Sequence, residues 1–313
     1  MTALLDPWSD ADTADFGRRP TPFRHRLAGH ELFSDAALAQ LIEASPQDHM
    51  HVNTMPRDTD DPHGWREGAL GGLAGEKVLE AVARGNIWLH LQRVHETIPA
   101  YGDLLDALFD EIETRIPGLH TYKRSMSVLV SSPRMNVAYH SDVPGQSLWQ
   151  IRGHKRVWIY PDHAPFLPQK TREAIALQRT MDTDLPYDAA FDAEAVSYRL
   201  EPGDWAHWPR NAPHRVVNED CVNVSFTTEH WTADHRNAYA MDYANGLLRP
   251  FLGDRDLPRD PQGPAFLAKL ALAGAHKTVR NVFARKMPLT IDFHVDPGAA
   301  EGFSDVTPYR IYK

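Results

Sequence analysis

The sequence predicts a mainly β protein with helical flanks, its core a β-sandwich or barrel. Three observations carry this. Between Thr121 and His230 short runs rich in Val, Ile, Trp and Tyr alternate with Pro, Gly and Asp turns. The runs are YKRSMSVLVSS, RMNVAYHSD, SLWQIRGHKRVWIYP, AVSYRLEPGDWAHWP, HRVVNE and CVNVSFTTEHW. On both sides of this block apolar residues recur at helical spacing instead. The chain has 313 residues, 42% of them hydrophobic, which suffices for one sizeable core.

Residues 1–29, rich in Asp, Pro and Arg, read as a loosely structured arm. FSDAALAQLIEAS follows as a helix, with Ser34 as N-cap and Leu38, Leu41 and Ile42 on one face. The Pro, Gly, Asp and His content of residues 46–74 predicts a long loop. EKVLEAVARG is a short helix stopped by Gly85, and IWLHLQ a strand from Ile87. YGDLLDALFDEIETRIPG is an amphipathic helix ended by Pro117 and Gly118. Within the β block QKTREAIALQRT is a helical insertion. Helical patterns return at about 233–248 and 264–285, and MPLTIDFHVDP opens a strand and an extended tail. The division expected is an N-terminal arm and helical region packing on the core (1–119), a β-core with the functional site (120–231), and a C-terminal helical region and tail (232–313). These form one β-core domain with helical flanks.

Net charge is −9, which argues against a nucleic-acid binder. One cysteine, Cys221, excludes intramolecular disulfides and zinc sites built from several cysteines. The N-terminus, MTALLDPWSDADTADFGRR, is acidic without a long apolar core, so it does not read as a signal peptide. No run of about 18 apolar residues predicts a membrane span. The expected setting is cytoplasmic.

Chemistry concentrates in NVAYHSDVPGQSLWQIRGHKRVWIYP, residues 136–161. His140 and Asp142, two apart on a strand, share a face. Two His and one carboxylate leave open positions on a metal and suit non-haem Fe(II). The third ligand then comes from another strand. His214 is the candidate, in GDWAHWPRNAPHRVV, after a Pro and before a new apolar run. His207 competes for that role. A plain hydrogen-bonded His–Asp pair remains the alternative at this stage. Lys155 follows SLWQIRGH, where polar and apolar residues alternate. If Trp149, Ile151 and Gly153 face one way, Lys155 faces that way too. An inward lysine requires an anion; the alternative is a surface lysine in RGHKR.

HSDVPGQSLWQIRGHKRVWIYP, then LEPGDWAHWPRNAPHRVV, then VNVSFTTEHW resemble the JmjC-type, cupin-like Fe(II)/2-oxoglutarate-dependent oxygenases. The asparaginyl hydroxylase that inhibits hypoxia factor belongs to this group. The shared pattern is His-x-Asp, a Q-I-x-G-x-K-R strand, then P-G-D followed by P-x-x-x-x-H, over about residues 120–231. The resemblance implies a double-stranded β-helix (jelly-roll, cupin-like) core. It implies that His140, Asp142 and His214 bind Fe(II), and that Lys155 pairs with the far carboxylate of 2-oxoglutarate. Molecular oxygen would be the second co-substrate. Ser225 stands where some relatives have an Asn near the co-substrate, and Val137 where some have a Thr. Asn136, Tyr122, Gln146 and Asn223 are the substitutes considered for the remaining contacts. Germin-type cupins want His-x-His, and position 142 is Asp. Another oxygenase subclass uses an Arg where this chain has Val224, which makes Lys155 more necessary.

The implied activity is hydroxylation of a protein side chain or small molecule. A non-catalytic binding or regulatory barrel is the other class, as is a zinc or manganese enzyme, which would not need Lys155. The 46–74 loop would cover the site mouth, and Arg134, Arg152 and Arg156 are candidates to meet an acidic substrate. The amphipathic AFLAKLALAGA suggests a homodimer through the C-terminal helices.

Overall fold

The computed structural model describes residues 3–55, 64–181, 183–253, 255–282 and 288–312. The N-terminal arm, expected to be loose, forms regular elements over its described residues. Ser9 and Asp12 form a capping box that starts α1 (Asp10–Asp15), and β1 (Thr21–Arg24) follows. α2 (Asp35–Ala44) begins at Ser34, whose hydroxyl accepts from the Ala37 N–H, and buries Leu38, Leu41 and Ile42. The 46–74 stretch holds two strands, β2 (Met50–Thr54) and β3 (Arg66–Ala69). Residues 56–63 between them, part of the expected loop over the site mouth, lie outside the described residues. Composition reads this stretch as loop because MHVNT and REGA carry few β-formers. Pairing with distant strands overrides that local preference.

α3 (Gly75–Arg84) ends at Gly85, and β4 (Trp88–Leu91), α4 (Val94–Thr97) and α5 (Pro99–Arg115) follow, with Pro99 in the first turn of α5. The β block then runs β5 (Tyr122–Ser131), β6 (Asn136–His140), β7 (Gly145–Arg152) and β8 (Lys155–Ile159). The inserted helix α6 (Gln169–Ala176) intervenes before β9 (Val196–Leu200), β10 (Asp204–Trp208), β11 (His214–Asn218) and β12 (Asn223–Trp231). α7 (Ala233–Leu252), α8 (Gly263–Val282), β13 (Pro288–Val295) and β14 (Phe303–Tyr312) complete the chain. Among the described residues no helix is long and apolar enough to cross a membrane.

Ten strands form one sheet in the order β1-β10-β7-β12-β5-β4-β2-β3-β13-β14, and four form a second, β6-β11-β8-β9. Leu129, Leu148, Ala206 and Trp208 of the first sheet pack against Val157, Ile159, Leu200 and Val216 of the second. Strands β5 to β12 therefore make a two-sheet jelly roll, as expected. The other face of the large sheet carries Met126, Val128, Trp149, Trp205 and Phe226, which share a core with Leu104, Leu108 and Ile112 of α5. Trp149 lies flat between Trp205 and Phe226, at 4.1 and 5.2 Å between ring centroids.

The expected continuous strand over 147–161 is in fact two, and they belong to different sheets. Gly153 makes the break with φ +76°, and a Cβ there would sit 2.2 Å from the Val222 carbonyl oxygen. Trp149 and Ile151 face the helices, so the alternation argument for Lys155 fails. Lys155 still points into the sandwich, because the turn resets the alternation. Gly153→Ala is expected to destabilise the fold by about 2 kcal/mol or more, from the left-handed backbone plus the clash. Thermal denaturation reads this, and an unchanged melting temperature would show that the turn adapts.

Candidate metal centre

β6 and β11 are neighbours, and their register sets His214 directly across from His140. Asp142 follows two residues after the end of β6. The donor atoms of His140, Asp142 and His214 lie within 4.8 Å of one another. The two imidazole centroids are 4.2 Å apart, and His214 Nε2 is 3.2 Å from Asp142 Oδ2.

The hydrogen bonds fix the tautomers. His140 Nδ1 donates to the Ala138 carbonyl at 2.8 Å, and His214 Nδ1 to the Ala212 carbonyl at 3.1 Å. A carbonyl oxygen only accepts, so each Nδ1 carries a ring proton, and in the neutral ring each Nε2 keeps its lone pair. Asp142 Oδ2 is shielded from solvent and receives no hydrogen bond. Burial, with His214 beside it, pushes His140 down to about 4. Burial acts to raise the Asp142 carboxyl, but His214 and then His140 outweigh it and hold it below the usual range. Two imidazole Nε2 atoms and one carboxylate thus converge at ligand spacing. This donor set fits a divalent ion with open coordination positions. The backbone carbonyls behind the imidazoles are the partners such ligands normally have.

Lys155 opens β8 and is 3% exposed. Its Nζ donates to Ser225 Oγ at 2.9 Å. Burial lowers the ammonium to about 7, opposed only by Cys221. A lysine held this way is matched to an incoming anion. Lys155 and the triad line one cavity of about 330 Å³. Ser131 and Asn218 line it as well, joined by a 2.8 Å hydrogen bond. Asn218 pairs with Lys155 across β11 and β8.

The other expected site residues separate. Gln146 lines the cavity, and its Oε1 has no partner. Val137 lines it too. Ser225 sits behind Lys155, fully buried. Asn136 begins β6 outside the cavity lining. Asn223, at the start of β12, is occupied: its Oδ1 accepts from Gln150 and its amide donates to the Cys221 carbonyl. Tyr122, 38% exposed at the start of β5, lies away from the cavity, and its hydroxyl donates to the Thr232 carbonyl.

His207 is not a competitor for the metal. Ala206 and Trp208 of β10 face into the sandwich, so His207 faces the opposite side. There it meets Ser147 at 2.9 Å and stacks on Phe16. Arg134, Arg152 and Arg156 are all exposed and none lines the cavity; Arg152 is held by Asp35.

Sequence reasoning missed a wall of the cavity. His51 and Asn53 of β2, and Trp88 and His90 of β4, line it. Glu67 holds His51 at 2.9 Å and Asn53 at 2.6 Å. The register explains this: His51 pairs with His90, and His90 with Leu129 of β5, so β2 and β4 extend the cavity wall. A signal existed in WLHL. With Leu89 and Leu91 in the core, Trp88 and His90 share the other face.

No protein-family model matches the chain, and no curated protein matches it. Among solved structures it is similar to ycfD of Escherichia coli, at 15% identity and a TM-score of 0.48, covering 88% of this chain and 69% of that one. It is also similar to YcfD described as a ribosomal oxygenase in complex with cobalt and 2-oxoglutarate, at 17% identity and a TM-score of 0.47, covering 87% and 67%. The complex of that oxygenase with cobalt and succinic acid gives 16% identity and a TM-score of 0.44, covering 93% and 74%. In this chain a two-histidine, one-carboxylate triad and a buried lysine share one cavity inside a jelly roll.

Proposed function

We propose that the protein is a non-haem Fe(II)- and 2-oxoglutarate-dependent dioxygenase that hydroxylates a protein side chain or small molecule. The carrying observation is that His140, Asp142, His214 and Lys155 line a single cavity, with no other Lys or Arg in its described lining. The resemblance over residues 120–231 supports the same reading. Iron held by these residues would supply oxygen activation coupled to oxidative decarboxylation of 2-oxoglutarate to succinate and carbon dioxide.

The chain's own residues do the rest. His140 and His214, each anchored to a backbone carbonyl, present Nε2, and Asp142 adds the negative charge. Lys155 takes the far carboxylate of 2-oxoglutarate, steadied by Ser225. Leu129, Leu148, Trp208 and Val216 form apolar wall that limits water. Anaerobic titration with Fe(II) and 2-oxoglutarate tests the proposal. A visible charge-transfer band is expected in the wild type and absent in His140→Ala. No band in metal-loaded wild type would end the reading.

Lys155 also predicts a pH dependence. In the free protein its ammonium titrates at about 7. A bound carboxylate raises that value, so binding takes up a proton above pH 7. The Kd for 2-oxoglutarate is expected to rise by up to about tenfold per unit from pH 7 to 9. Both carboxylates of the ligand are ionised throughout, and His140 is already neutral. A flat calorimetric profile would place the anion on another group.

The proposed setting is cytoplasmic, which accords with a single free cysteine, Cys221. A homodimer through the C-terminal helices is proposed on Leu267 and Val279 of α8, 63% and 60% exposed. Sedimentation as a strict monomer would remove it.

A further inference from the structure

The metal ligands come from two separate segments, one around residues 140–142 and one around 209–214. Asn211 joins them. Its Nδ2 donates to the Asp142 carbonyl at 3.2 Å, and its own carbonyl accepts from Ser141 Oγ at 2.9 Å. Asn211 and Ser141 are both buried. One residue on, Ala212 supplies the carbonyl that orients His214, and the Ala212 N–H closes the turn on Pro209 at 3.0 Å. A single tight turn therefore touches the segments of both ligands.

The backbone at Asn211 has φ +65°, in the left-handed region. Asn is among the few non-glycine residues that accept it. Gly would accept it with no amide to offer. Asp would accept it with an acceptor facing the Asp142 carbonyl, which itself only accepts. The turn is also held from its far side. Arg210 donates to Asp242 of α7 at 3.1 Å, and Asp242, fully buried, also binds Arg259 at 2.8 Å.

We infer that Asn211 is a positioning residue for the metal centre, clamping the Asp142 segment to the His214 segment so that the three donors are held at ligand spacing before an ion arrives. The inference rests on the metal reading of the triad. It predicts a loss of metal affinity in the folded protein when the clamp is cut, because partners behind the ligands set ligand geometry.

The test is a Co(II) titration of the full chain, read by the visible ligand-field spectrum and by calorimetry, with thermal melts alongside. Asn211→Gly keeps the left-handed backbone and removes the amide. Asn211→Asp keeps the shape and replaces the donor with an acceptor. Ser141→Ala cuts the second strut and leaves Asn211 in place, so it serves if both Asn211 variants fail to fold. The expected result is a roughly tenfold or greater loss of Co(II) affinity with an altered spectrum, in protein whose melting temperature moves by only a few degrees. A merely structural role would lower the melting temperature and leave the spectrum of the folded protein unchanged. Wild-type affinity and spectrum in the folded variants overturn the inference while the triad stands. If wild type takes up no Co(II), or His140→Ala takes it up equally, the metal reading fails and the inference falls with it.

Discussion

Asp142→Ala is expected to abolish Fe(II)-dependent turnover of 2-oxoglutarate and to weaken metal binding by more than about a hundredfold, beyond what changes behind the ligands produce. Asp142 is the one anionic donor in the triad; without it, two neutral imidazoles face a divalent ion. The fold should survive, because the structural tie of this residue is its backbone carbonyl, held by Asn211, and alanine keeps it. Its Oδ2 receives no hydrogen bond, so removing it costs the fold little. His214→Ala should abolish turnover as well, but it is a less clean test. That ring is buried and lies 4.7 Å from Trp208, so its loss leaves a hole worth about 1–3 kcal/mol. Fe(II)-loaded Asp142→Ala with substantial succinate production would refute the triad assignment.

Lys155→Met is expected to weaken 2-oxoglutarate binding by about 30-fold to several thousandfold, the range for truncating one partner of a buried charge pair. Fe(II) affinity should hold, since Lys155 is no part of the triad. Met keeps most of the volume and removes a buried amine, so the free protein should be at least as stable as wild type. The pH dependence separates this from a packing effect. The folded-state value of Lys155, about 7, lies below its unfolded value of about 10.4. Between these the unfolded chain binds more protons, so wild-type stability rises with pH across that window. The rise should be smaller in Lys155→Met. Denaturant melts at pH 7 and pH 10 measure the difference, and calorimetry measures the ligand. Equal 2-oxoglutarate affinity in Lys155→Met would move the anion site elsewhere.

Much of this was legible from residue types alone. The two-residue spacing of His140 and Asp142, the strand-rich block and the helices with their caps follow from local periodicity. Helix periods and strand alternation are written into contiguous residues, so α2, α5 and most of the β strands could be read directly. Other features were not local. The strands in 46–74 exist through their partners, which is why β2 and β3, and with them His51 and Asn53, escaped a reading by composition.

Alternation within a strand says which residues share a face, but not which face the fold turns inward. Spacing favours His214 and leaves His207 as a competitor; the fold separates them, because β10 buries Ala206 and Trp208 in the sandwich and β11 sets His214 across from His140. Lys155 teaches the same lesson from the other side. It faces inward, yet not with Trp149 and Ile151, because one left-handed glycine moved the chain from one sheet to the other and restarted the alternation. The sequence by itself determined the donor types, their spacing and the elements that carry them. Tertiary structure decided which donors meet, because strand register and sheet membership are set by hydrogen bonds and burial between segments far apart in the chain.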